Sequence, residues 1–253
     1  MSTRLFHISD VHFGVENRRA LAEVEAAIAR EKPDALICTG DLTQRAKHSE
    51  YAAAAEWLSG LGVPVSLNVG NHDMPYYNLI ERFTDPYRRF RDLDARIGSR
   101  FESDDVILVP LKTTVRAQRR FPWSDGVVTR PALNETLARL AHLRDDPRTI
   151  IVTAHHPLLG PSDGRKNPTK GGDRAFEALA ANGVHAVLSG HVHQPLDEMR
   201  EIGGNGMRML GAGTLSTRLR HGEPASYQVL TVDRGGAIEV DLRRFTLADL
   251  ESS

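Results

Sequence analysis

The stretch "DALICTGDLTQRAKHSEYAAAAEWLSGLGVPVSLNVGNHD", residues 34–73, decides the fold. An apolar run, "DALICTG" (34–40), stops at Asp41. A segment starting at the capping residue Ser49, rich in alanine and closed by glycine, reads as a helix over 49–62. A second apolar run, "VPVSLNVG" (63–70), stops at Asn71. Strand, helix, strand in about forty residues is the signature of a parallel βαβ unit.

The same alternation extends outward. "RLFHIS" (4–9) is a strand ending at Asp10, and "RRALAEVEAAIAREK" (18–32) is a helix that Pro33 ends. Residues 75–100 read as two helical pieces broken near Asp85–Pro86. Downstream follow strand 105–111, helix 130–143, strand 148–154, helix 172–183 and strand 184–190. After that the pattern changes. "LDEMREI", "GMRMLGAG", "ASYQVLTVD" and "AIEVDLRRF" read as consecutive strands with Gly-rich turns, "DRGG" (233–236) being a hairpin turn. The expectation is one α/β domain over 1–253, with a core at 4–194 and a strand-rich part at 195–246.

Bulk properties narrow the function. In 253 residues, 32 Lys and Arg face 33 Asp and Glu. A balanced charge argues against a grip on long nucleic acid, which takes a basic excess. One cysteine, Cys38, permits no internal disulfide. No run approaches the ~18 apolar residues of a membrane span, and the N-terminus lacks the apolar core of a secretory signal. A cytoplasmic protein without a membrane partner is expected; a homo-oligomer is compatible with everything above.

What stands after each strand is the more specific signal. Asp10 and His12 follow the first and Asp41 the second; Asn71, His72 and Asp73 follow the third. His155 and His156 follow "IIVTA", and His191 and His193 follow "VLSG". Six of the eleven histidines fall in these five places. Singly, each has an ordinary explanation: an aspartate caps a helix, a histidine packs in a loop. Together they are donors at the carboxyl edge of a sheet, where α/β folds bind ligands. Carboxylate, amide oxygen and imidazole without thiolate suit Mn, Fe, Zn or Co, and are too nitrogen-rich for Ca or Mg alone. Donors in this number exceed one ion's needs and fit two that share a carboxylate, ~3.5–4 Å apart.

The blocks "DVH" (10–12), "GD" (40–41), "GNHD" (70–73), "HH" (155–156) and "GHVH" (190–193) resemble the calcineurin-like metallophosphoesterases, in order and over residues 4–194. The resemblance implies a four-layer αββα sandwich of two mixed β-sheets flanked by helices. It implies that Asp10, His12 and His193 hold one metal, that Asn71, His155 and His191 hold the other, and that Asp41 bridges them. It implies that His72 faces the substrate phosphate and stabilises the transition state or protonates the leaving alkoxide, with a metal-bridging hydroxide as nucleophile. Asp73 is expected to orient His72 or its loop, and His156 to face substrate or pack behind His155. The stretch from "GDLTQ" through Glu50–Tyr51 to "GNHD" looks like the branch of class III cyclic-nucleotide phosphodiesterases and glycerophosphodiesterases. Small phosphodiesters are therefore the expected substrates. A phosphomonoesterase, a nuclease and a UDP-diacylglucosamine pyrophosphohydrolase are the alternatives within the superfamily, and a scaffold without catalysis should have lost ligands, which this chain has not. The basic segment with Lys112, Arg116, Arg119 and Arg120, and the aromatics Phe121 and Trp123, read as a solvated face or a substrate lip. His221 is a further residue near the last block.

Overall fold

A computed structural model describes residues 2–98, 101–118, 124–160, 168–220 and 222–245. Arg119, Arg120, Phe121, Trp123 and His221 lie outside the described residues. In chain order the elements are β1 (Ser2–Ile8), α1 (Arg18–Glu31), β2 (Ala35–Cys38), α2 (His48–Gly60), β3 (Val65–Leu67), α3 (Leu79–Thr84), α4 (Arg88–Ile97), β4 (Val106–Pro110), β5 (Gly126–Val127), α5 (Arg130–Ala141), β6 (Thr149–Thr153), β7 (Thr169–Lys170), α6 (Gly172–Ala180), β8 (Ala186–Ser189), β9 (Leu196–Ile202), β10 (Asn205–Gly211), β11 (Ser226–Asp233) and β12 (Ile238–Arg244). Among the described residues no helix is long and apolar enough to cross a membrane.

Two five-stranded sheets form, in the orders β12-β11-β1-β2-β3 and β4-β6-β8-β10-β9, and β5 pairs with β7 beside them. Pairs β1–β2, β2–β3, β4–β6, β6–β8 and β8–β10 are parallel; β1–β11, β11–β12 and β9–β10 are antiparallel. The continuous apolar runs of the central strands follow from burial on both faces. Along β1 and β2, Leu5, Ala35 and Ile37 meet Val106, Ile151, Ala186, Leu188 and Leu210 of the other sheet. The alternate residues Phe6, Ile8, Leu36 and Cys38 pack instead under α1 and α2 with Val24, Ile28, Ala54 and Leu58. On the far side Ile150, Val152 and Val187 pack under α5 and α6 with Leu133, Leu140, Phe176 and Leu179. The result is helix, sheet, sheet, helix: the layered sandwich.

The C-terminal strands depart from a simple meander. β9–β10 closes the second sheet and β11–β12 the first, so the chain crosses between sheets over 212–225. The start of α2 also differs from expectation. Ser49 lies inside the helix, and the buried Glu50 caps it by accepting from Arg45 N (2.7 Å) and Lys47 N (3.2 Å). A carboxylate there answers both the free N–H groups and the helix dipole.

One polar side chain sits buried inside the sandwich and sets an acid limit on stability. His7 Nδ1 donates to Gln228 Oε1 (3.0 Å), and its Nε2 pairs with Thr39 Oγ1 (3.1 Å). Burial pushes its pKa down from 6.5 to about 4, against the opposing pull of Gln228 and Asp10. The unfolded chain therefore binds more protons than the folded one between those values, and stability falls as pH drops from 6.5 to 4. The loss is on the order of 3 kcal/mol from this group. Urea unfolding across that range should show it, and the same slope in a His7→Asn variant would refute the assignment.

Candidate metal centre

All five donor-bearing loops meet at one edge, because the parallel strands of both sheets end there. Asp10 N bonds to Gly40 O (3.0 Å), His12 N to Asp41 O (3.0 Å), and Asn68 Nδ2 reaches across to Thr153 O (3.1 Å). The loops are strained in a telling pattern. Among the described residues seven non-glycine residues have a left-handed φ, and five of them are Asp10 (55°), His12 (51°), Asp41 (53°), His191 (70°) and His193 (59°). Each such residue costs roughly 1–3 kcal/mol and persists where surrounding structure imposes it, commonly at a working site. Glycine at 40, 70 and 190 can each ease a sharp turn. Only Gly40 needs its freedom for that, at φ 104°. Gly70 and Gly190 are required by contact: a Cβ would fall 2.1 Å from Asp41 Oδ1 and 1.8 Å from Ser9 Oγ respectively.

Two sets of donors emerge. In the first, His12 Nδ1 faces Thr43 O (3.4 Å) and His193 Nδ1 faces Arg218 O (2.7 Å). A carbonyl only accepts, so both Nδ1 atoms carry the proton and both Nε2 atoms are free to ligate. Those Nε2 atoms converge to 3.3 Å, beside Asp10 Oδ1 at 3.6 and 3.1 Å. Asp10 Oδ1 is buried and completes no hydrogen bond, while its Oδ2 accepts from His191 N (2.8 Å). In the second set His155 Nδ1 donates to Thr39 O (2.8 Å), which aims Nε2 at Asn71 Oδ1 (3.1 Å) and Asp41 Oδ2 (3.4 Å). His191 lies alongside, its ring centre 5.3 Å from that of His155. Asp41 stands between the sets, its Oδ2 also 3.9 Å from His12 Nε2. Donor atoms of Asp10, His12 and His193, and of Asp10, Asp41 and His155, lie within 4.8 Å of one another. An orphaned carboxylate oxygen and lone pairs aimed at a common point are what a cation would satisfy, and the donors fit one.

The charges agree. Burial works to raise Asp10 and Asp41, but the surrounding imidazoles hold both well below the usual carboxylate range. Burial alone would lower His155; Asp41 and Asp10 override it and raise its pKa to about 9. Without a cation its Nε2 therefore keeps a proton, which metal uptake must displace. Burial, reinforced by His155, pushes His191 down to about 3.

Three further expected residues have distinct surroundings. His72 Nδ1 donates to Gln44 O (2.7 Å), its backbone N donates to Asp41 Oδ1 (2.7 Å), and its Nε2 faces the centre's edge, where Arg218 Nη1 lies 3.3 Å away. Asp73 makes no bond to the His72 ring. It ties two loops together, accepting from Gly70 N (2.8 Å), Thr43 N (2.9 Å) and Thr43 Oγ1 (3.1 Å), and burial followed by the Asp41 charge raises its pKa to about 6. Tyr51 of α2 clamps the same loop through Oη to Asp73 O (2.5 Å). His156 is buried, with Nδ1 on Thr113 Oγ1 (2.9 Å) and Nε2 on Ser124 O (2.9 Å), so both ring nitrogens are taken within the protein. Its ring packs on His155 and His191, centroids 4.6 and 4.4 Å apart.

Sequence reading assigned no role to Arg218 or Gln44, which flank His72, nor to the carbonyls of Thr39, Thr43 and Arg218 that fix three imidazoles. The available signal was "GTLSTRLR" (213–220), two arginines in a turn just after a buried strand.

Comparison with known proteins agrees with the architecture. A family model described as calcineurin-like phosphoesterase matches residues 3–195. A probable cyclic nucleotide phosphodiesterase of Pseudoalteromonas is 32% identical over 215 residues, 79% of this chain and 75% of that protein. A glycerophosphodiester phosphodiesterase of Enterobacter lignolyticus is 36% identical over 182 residues, 65% of this chain and 60% of that protein. The fold is shared with a dimetal phosphatase of Danio rerio at TM-score 0.64 and 12% identity, over 96% of this chain and 99% of that one. The chain thus belongs to the calcineurin-like phosphoesterase family and is a hydrolase of phosphate esters.

Proposed function

We propose that this protein is a dinuclear phosphodiesterase for small diesters, cyclic nucleotides or glycerophosphodiesters. Asp10, His12 and His193 would hold one cation and Asn71, His155 and His191 the other, with Asp41 shared. The observation that carries the reading is the pair of imidazole-lined sets separated by one carboxylate, with Asp10 Oδ1 left unbonded. Mn, Fe, Zn and Co all suit the donors. Bound there, such cations supply Lewis acidity and a water acidified toward neutrality.

The protein's own groups do the rest. Gln44 O keeps the proton on His72 Nδ1, so Nε2 is the atom that meets the substrate. As an imidazolium, His72 would give its Nε2 proton to the leaving alkoxide and return to the neutral imidazole. Burial lowers its pKa, which favours that return. Asp73 and Tyr51 hold the loop that carries it. The names of the relatives support a diester substrate, and the balanced charge of the chain supports a small one over long nucleic acid.

A second reading, an amphiphilic pyrophosphate or diester, rests on one feature. Tyr76, Tyr77, Leu79, Ile80 and Phe83, just after the "GNHD" loop, are all more than half exposed. One assay series tests both. With Mn²⁺, bis(p-nitrophenyl) phosphate should turn over at least about tenfold faster than p-nitrophenyl phosphate, a difference of 1.4 kcal/mol in barrier. Absence of any metal-dependent turnover would defeat the proposal, and faster hydrolysis of a long-acyl diester than of its short-chain analogue would favour the second reading.

A further inference from the structure

Arg218 is a half-buried cation beside the centre with no carboxylate partner among the described residues. Its Nη1 donates to Gln44 Oε1 (3.2 Å) and to His72 Nε2 (3.3 Å), both neutral and both long. The other guanidinium donors meet no protein acceptor among the described residues. The residue is nonetheless held in place. Its N donates to Ser216 Oγ (3.2 Å) and its O accepts from His193 Nδ1 (2.7 Å). The backbone that orients a proposed metal ligand therefore also plants this side chain against His72.

A guanidinium in that position is unexplained by packing. Its two acceptors are uncharged, and a neutral amide would serve them. Beside bound cations it would be repelled, and its own burial and Arg220 work against its charge, with Asp41 and Asp10 offsetting them only in part. An anion repays both, and a planar fork of N–H donors matches phosphoryl oxygens.

The stoichiometry of oxygens says which anion. A diester has two unesterified oxygens and one negative charge. A phosphomonoester or inorganic phosphate has three such oxygens and about −1.5 to −2 charge near neutrality. Two cations can take two oxygens, which leaves a third only in the monoester. We propose that Arg218 binds this third phosphoryl oxygen, making the site a receptor for phosphomonoesters, as product or second substrate, more than for diesters. The proposal rests on the dinuclear reading above.

The test is calorimetric binding of inorganic phosphate to the Mn²⁺-loaded protein, wild type against R218Q and R218K, with metal content and Tm measured in parallel. R218Q should weaken phosphate by about tenfold or more, the scale of a charge-assisted hydrogen bond, with metal content unchanged because the backbone carbonyl remains. KM for bis(p-nitrophenyl) phosphate should rise by no more than about threefold, since its two oxygens have other partners. R218K, which keeps charge but loses the fork, should fall between, and it is read alone if R218Q fails to fold. Phosphate affinity unchanged in either variant, or a diester KM raised as much as phosphate is weakened, overturns the proposal. A wild type that binds phosphate through Arg218 yet hydrolyses no ester sinks the phosphodiesterase reading and leaves this one standing.

Discussion

Asp41→Asn is expected to lower turnover by at least about 10³-fold while leaving the metal-free fold intact. The substitution keeps size and one oxygen. Oδ1 can still accept from His72 N, the 2.7 Å bond that positions the loop. What disappears is the charge standing between the two donor sets, 3.4 Å from His155 Nε2 and 3.9 Å from His12 Nε2. Lewis-acid stabilisation is worth several kcal/mol, and each 1.36 kcal/mol is a factor of ten. The opposing effects on the fold nearly cancel. His155 loses its main counter-ion, and Asp73 loses the neighbour that, after burial, raises its pKa. The wild type should gain stability on metal addition, about 2.7 kcal/mol at a hundredfold excess over Kd. The variant should not, and elemental analysis should find fewer ions per chain. Full occupancy and ordinary turnover in this variant would remove Asp41 from the centre.

The sequence exposed the parts of this molecule whose identity lies in side-chain pattern. Strands buried on both faces read as apolar runs, and the residues after them read as donors because Asp, Asn and His recurring together at five strand ends share no packing rationale. Less visible was everything decided by the meeting of distant segments. β9 to β12 alternate like any strands, and nothing in that period tells which sheet each joins; the crossing at 212–225 depends on where β8 leaves an open edge. The carbonyls of Thr39, Thr43 and Arg218 orient His155, His12 and His193, yet every residue has a carbonyl, so no residue type announces them. Arg218 comes to His72 from 146 positions away. The start of α2 differs for a local reason: Ser49 is a common cap, but the buried Glu50 reaches back three residues to Lys47 N, which makes Lys47 the cap.

The glycines of the site show the same distinction and allow a sharper test. Gly70→Ala should be the most damaging of the site's methyl additions. The new Cβ would lie 2.1 Å from Asp41 Oδ1 and 2.2 Å from Asp41 N. No rotamer relieves a clash with a backbone nitrogen, so the loops at 40–41 and 70–73 must separate by the better part of an ångström. Misplacement on that scale costs about 10²-fold in rate, and the disrupted bond from Gly70 N to Asp73 Oδ2 adds a loss of stability, together about 3 kcal/mol or more. Gly190→Ala differs in kind. Its worst contacts are Ser9 Oγ at 1.8 Å, Ser9 Cβ at 2.5 Å and Asp10 Oδ2 at 2.6 Å, all side-chain atoms, and Ser9 Oγ makes no hydrogen bond. Ser9→Gly removes the two nearest atoms at no cost in pairing and leaves the Asp10 Oδ2 contact, so the double variant should recover part of the Tm lost by Gly190→Ala, whereas no side-chain deletion can remove the Asp41 N clash that burdens Gly70→Ala. Thermal melts and metal content of the three proteins decide the matter. Were Gly70→Ala to melt and turn over like the wild type, the two loops could not be stacked as described, and the shared position of Asp41 would fall with them.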